Sequence, residues 1–95
     1  MNIVKVTRSF EACAEAGWFG YDIHLECPVD ETSVKALYSL GKMTFMKQLK
    51  NPFFVVRADK FLVRGVLGNS FVRAGIAQND PETLDFVLET LRAAP

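Results

Sequence analysis

Residues 53–76, FFVVRADKFLVRGVLGNSFVRAGI, run through one theme three times, an aromatic followed by aliphatic residues and then an arginine: Phe54 to Arg57, Phe61 to Arg64, Phe71 to Arg73. Successive side chains of an extended chain point to opposite faces, so the way apolar and charged residues fall in these segments can be sorted by face. The joins, Ala58-Asp59-Lys60 and Gly68-Asn69, are built from residues that tight turns use. Three strands joined in this way form an antiparallel meander. The stretch therefore commits the chain to an antiparallel sheet, and the flanking segments must supply further strands and a covering layer.

Turn position fixes the faces. A two-residue turn at either Ala58-Asp59 or Asp59-Lys60 puts Arg57 and Arg64 on the same side. A turn at Gly68-Asn69 sets Arg64 directly opposite Arg73. The three arginines then share a face with Phe53, Val55, Leu62, Val66 and Phe71. The other face holds Phe54, Val56, Phe61, Val63, Val72, Ala74 and Ile76. It has no charge, so it is the face expected beneath the helices.

Upstream, residues 3–13 alternate, with Val4, Val6, Phe10 and Ala12 on one side and Arg8 as the exception. Residues 18–27 alternate more cleanly: Phe19, Tyr21, Ile23 and Leu25 face one way, Trp18, Asp22, His24 and Glu26 the other. A hairpin with its loop at residues 14–17 accounts for both, setting Phe10 opposite Tyr21, Val6 opposite Leu25, Lys5 opposite Glu26 and Thr7 opposite His24. The rival reading makes SFEACAEA a short helix of good helix formers, which would move the chain towards a ferredoxin-like arrangement. Residues 30–50 carry helical spacing at Val34, Leu37, Tyr38, Gly41, Phe45 and Leu49, with Asp30 as cap and Asn51-Pro52 as stop. A last helix starts at Asp80-Pro81, with Leu84, Val87, Leu88 and Leu91 as its inward stripe. The expected order is β-β-α-β-β-β-α, an α+β two-layer sandwich. Its sheet is mainly antiparallel, of about five strands, with two helices on one face.

The chain has 95 residues, which fits one domain over residues 1–95. Its 11 basic and 11 acidic residues cancel. Proteins that grip a phosphate backbone usually carry a basic excess, so this balance argues against bulk nucleic-acid binding. No apolar run approaches the roughly 20 residues of a membrane span, and Lys5 and Arg8 interrupt the place where an export signal needs its apolar stretch. Cys13 and Cys27 are too few for a disulfide scaffold and lack metal-ligand spacing. They fall on opposite faces, Cys27 inward as a small core residue. A cytoplasmic setting with reduced thiols is the expectation.

No residues assemble into a catalytic set, a metal site or a cofactor motif: Gly65, Gly68 and Gly75 lack any phosphate-loop spacing. His24, the one histidine, lies between Asp22 and Glu26 on one face, as either a general base tuned by carboxylates or a plain surface imidazole. Met43 and Met46 sit together on the less apolar flank of the first helix. The binding candidates are Arg57, Arg64, Arg73, His24 and Phe71, all on the outer face of the sheet. That face is half apolar with nothing left to cover it, and it opposes like charges, which is destabilising unless something neutralises them. Asp22 and Glu26 of the same chain, the same residues of a second copy, or an anionic ligand are the three neutralisers. The expected function is a protein-interaction or accessory module that self-associates as a dimer through this face. The alternative is a binder of a small anion or single-stranded RNA on the arginines, which themselves fit simple solvated decoration as well.

Overall fold

A computed structural model describes residues 1–9, 17–78 and 80–95. Among these residues six strands form one sheet: β1 (Ile3–Arg8), β2 (Trp18–Leu25), β3 (Lys42–Met46), β4 (Phe53–Arg57), β5 (Phe61–Val66) and β6 (Phe71–Ala77). Two α-helices, α1 (Glu31–Ala36) and α2 (Pro81–Ala93), complete it, with a 3-10 turn at Tyr38–Leu40. The sheet order is β1-β2-β6-β5-β4-β3, every pairing antiparallel. The α+β class, the antiparallel sheet and the helices on one face are as the sequence implies.

The charge-free face is the core. Phe54, Val56, Phe61, Val63, Val72, Ala74 and Ile76 join Ile23 and Leu25 of β2 in one buried cluster with Val34, Leu37 and Leu40. Val87, Leu88 and Leu91 of α2 close the same cluster, and Leu84 packs against it. Both helices are therefore spent on the inner face. The helix starts are capped as expected: the Asp30 carboxylate accepts from the Ser33 N–H at 2.8 Å, and Asp80 accepts from the Glu82 N–H at 3.1 Å, with Pro81 in the first turn.

The helix expected over residues 30–50 is the largest correction. It is α-helical only to Ala36, and residues 42–46 form a sixth strand paired with β4. KMTFM carries period-two alternation as well as helical spacing. Met43 and Phe45 face the core, whereas Lys42, Thr44 and Met46 face outward, so the two methionines lie on opposite sides of a strand and not on one helix flank. Gly41 decides between the two patterns. A Cβ there would lie 2.3 Å from the Arg57 carbonyl oxygen, so only glycine lets the chain pass close enough to β4 to begin the pairing. Lys47, just past the strand, donates to the Glu31 carboxylate at 2.8 Å.

The N-terminal hairpin pairs two residues out of the expected register: Val6 meets Ile23, Thr7 meets Asp22 and Arg8 meets Tyr21. A slip of two keeps every side chain on its face. The register also shifts between Ile3 and Lys5, a bulge that turns Ile3 inward and leaves Val4 65% exposed. Phe10, Ala12, Cys13 and the rival helix SFEACAEA lie wholly or mostly outside the described residues. Cys27 is exposed, not inward. The strand ends at Leu25, and Val29 enters the core in its place, held by an N–H bond to the Asn69 carbonyl at 2.9 Å.

Candidate binding face

The pairings arrange the outer face in rows that run across the strands. One row is Lys42, Arg57, Leu62, Gly75 and Gly20; the next is Thr44, Val55, Arg64, Arg73, Asp22 and Thr7. A third contains Met46, Phe53 and Val66 on one side, then Phe71, His24 and Lys5 on the other. The middle row carries the charge, and the third carries most of the exposed apolar surface.

Arg64 does stand opposite Arg73. Two guanidinium groups set side by side repel, and the first of the three neutralisers relieves one of them: Arg73 Nε donates to the Asp22 carboxylate at 2.8 Å. Both side chains of that pair are about three-quarters buried, 23% and 24% exposed, so the bond is shielded from water more than a surface pair would be. Glu26, the other carboxylate of the expected acidic row, instead accepts from the Asn2 amide at 2.9 Å. Arg64 is exposed and makes no ion pair among the described residues.

Between the middle and third rows lies a cavity of about 370 Å³, lined by Phe53, Val55, Arg64, Val66, Phe71 and Arg73, with the Asn69 side at its rim. Its apolar wall is incompletely covered: Phe53, Val55 and Val66 are half-buried and Phe71 is 36% exposed. The Arg73 guanidinium lies 6.0 Å from the centre of the Phe71 ring, at the outer limit of a cation–π contact. The floor is shaped from below by Gly65. A Cβ there would come within 2.8 Å of the Phe54 ring, so the glycine lets that ring fill the space under β5.

Three of the five candidate residues, Arg64, Arg73 and Phe71, surround this cavity. Arg57 stands outside it, in a separate depression with Lys42, Thr44 and Val55. His24 is half-buried, and its Nε2 lies 3.2 Å from the Thr7 hydroxyl, across the β1–β2 ladder. Asp22 is held by Arg73 and Glu26 by Asn2, so the three groups suspected of acid–base chemistry point to separate partners. No cluster of three metal-ligating side chains occurs among the described residues.

Leu62 corrects the expectation that the whole outer face lies bare. It is only 5% exposed, and its row neighbours Gly75 and Gly20 are buried too, so that half of the row is covered while Lys42 and Arg57 at its other end stay exposed. The bare apolar surface is narrower than the sequence implies: along the third row it is the cavity wall with its Phe71 rim, and Met46 at the far edge. Comparison of the chain with protein-family models, with curated proteins and with solved structures finds no match. Among the described residues no helix is long and apolar enough to cross a membrane. The functional reading accordingly rests on the site alone.

The sequence does not single out Asn69: its part in the turn after β5 accounts for it, and only the fold brings that turn to the cavity rim. Arg8 is hidden in a different way. Its guanidinium lies 4.7 Å from the centre of the Phe19 ring and 5.4 Å from that of the Tyr21 ring, so the apparent exception in the strand pattern has aromatic contacts although the residue stays exposed.

Proposed function

We propose that the protein is a binding module, without chemistry of its own, whose outer sheet face receives an anionic partner at Arg64. One observation supports this reading above the rest: an arginine with no acidic partner among the described residues stands at the wall of an apolar cavity. A cation beside a low-dielectric wall attracts an anion more strongly than one in open water. Asp22 favours Arg64 as the anchor, because it already holds Arg73.

Self-association through the same face is the second reading, and the exposed rims of Phe71 and Met46 favour it. It lacks the charge exchange that would steady it. Asp22 is engaged within its own chain, so a two-fold contact over the cavity would bring together two Arg64 side chains with nothing opposite them.

Two measurements decide between these readings. Amide NMR of the labelled chain, titrated with a panel of small carboxylates and phosphates, should move the signals of Val55, Arg64, Val66, Phe71 and Arg73 together. Shifts scattered over basic residues elsewhere, or gathered on the helical side, would overturn the anionic reading. Light scattering at micromolar concentration should give the monomer mass, unchanged in Phe71→Asp. A dimer that this substitution dissociates would establish the second reading instead.

A further inference from the structure

Resting on that reading, we infer that the cavity takes a small organic monocarboxylate with a flat apolar body, its carboxylate on Arg64 and its body along Phe53, Val66 and Phe71. Charge count is the first reason. Of the two cations lining the cavity, Arg73 is already bonded to Asp22 at 2.8 Å, which leaves a single positive charge to be met. The Asp22 carboxylate stands one strand beyond Arg73 in the same row, so a second negative charge on the ligand would be repelled. A monoanion matches this arrangement, whereas a phosphate ester carrying close to two charges does not.

Geometry is the second reason. A guanidinium presents paired N–H groups that fit the two oxygens of a carboxylate. Fixing Arg73 on Asp22 keeps one neighbour from swinging across the site. The apolar wall adjoins the charged row directly, because the Phe53–Val66 pair lies two residues along the strands from the Val55–Arg64 pair, the next pair on the same face. A ligand whose charge and flat body sit side by side can therefore touch both rows at once. The volume of about 370 Å³ suits a small molecule, at the low end of the roughly 300–1,000 Å³ of ligand pockets.

The same layout disfavours single-stranded RNA. Base stacking needs aromatic rings in succession along a basic groove. Trp18, the third aromatic on the outer side, pairs with Ala77 at one end of β2, whereas Phe71 pairs with His24 near the other. Six strand residues separate the two levels, about 20 Å.

The experiment uses the full chain and four probes, followed by amide NMR with the spectrum itself as the check on folding. The probes are 3-phenylpropanoate, its uncharged counterpart 3-phenylpropan-1-ol, inorganic phosphate and a mixed-sequence single-stranded RNA. The expected result is saturable binding of the carboxylate at the cavity amides. Arg64→Ala and the change to the alcohol should each weaken it by about tenfold or more, the usual worth of a charge-assisted hydrogen bond. Phe71→Ala should weaken both organic probes alike, and Arg57→Ala should leave binding within about twofold, because Arg57 lies outside the cavity.

Equal affinity for the alcohol, or equal losses from Arg57→Ala and Arg64→Ala, would overturn the inference. If phosphate or RNA moves the cavity amides and the carboxylate does not, the ligand class is wrong while the anionic face stands. If no probe moves those amides, the inference and the functional reading fall together.

Discussion

Three carboxylates at the helix starts are held in their charged forms. The Ser33 N–H, and after it the Ser33 hydroxyl, lowers the pKa of Asp30 below the ordinary aspartate value. The Thr83 hydroxyl, then the Glu82 N–H, does the same for Asp80, and Lys47 does it for Glu31. A carboxylate whose folded pKa lies below its unfolded one binds protons more readily when unfolded. Its stabilising contribution is complete above the unfolded value, about 3.9 for Asp, and is lost as pH falls through the folded value. Urea midpoints should therefore fall between pH 5 and pH 2.5. Asparagine caps a helix without titrating in this range, so Asp30→Asn with Asp80→Asn should flatten that fall. Parallel slopes for the two proteins would show that these caps contribute nothing to it. At this scale the sequence is informative wherever a residue acts on its near neighbours. The caps at Asp30 and Asp80 are legible from spacing, and so is the face on which Arg64 lies. The covering of Leu62 and the exposure of Cys27 are not, since both depend on what distant segments place beside them.

Among the elements, β3 shows what a short pattern leaves open. VKALYSLGKMTFM satisfies helical spacing and ends in a clean alternation, and neither pattern excludes the other over so few residues. The deciding contact is tertiary: the Gly41 backbone lies where a side chain would strike the Arg57 carbonyl. Gly41→Ala should therefore detach β3 at its start, although alanine is the better helix former. The expected cost is about 1–3 kcal/mol in urea unfolding, as for other overpacked sites, with faster amide exchange across the β3–β4 ladder. A variant as stable as the parent, or more so, would show that β4 yields to the methyl group. The outer-face cavity belongs to this scale too. Its arginines and Phe71 follow from the alternation of β5 and β6, which fixes faces regardless of strand count. Its depth depends on the Phe54 ring lying beneath Gly65, a contact that no spacing reveals.

Across the whole molecule, the meander was legible because its pairings are local, and the joint between β2 and β6 was not, because nothing in either segment names the other. That joint reaches from Trp18–Ala77 to His24–Phe71, and it alone attaches the β1–β2 hairpin to the other four strands. Pairings between residues far apart in sequence have a large loop to close, so they form late and slow the reaction. Val63→Ala in β5 and Ile23→Val in β2 remove two and one carbon from fully buried sites, at costs of about 2–3 and about 1 kcal/mol. Stopped-flow refolding should find the first slowing folding and the second mainly speeding unfolding. The reverse would place the joint in the transition state. During synthesis the same joint imposes a wait. The β1–β2 hairpin leaves the ribosome early, yet its partner strand is incomplete until residue 77 has been made. An isolated hairpin is marginal in water, so through that interval Ile23 and Leu25 have no sheet to enter, and crowding by neighbouring nascent chains is the hazard that the topology creates.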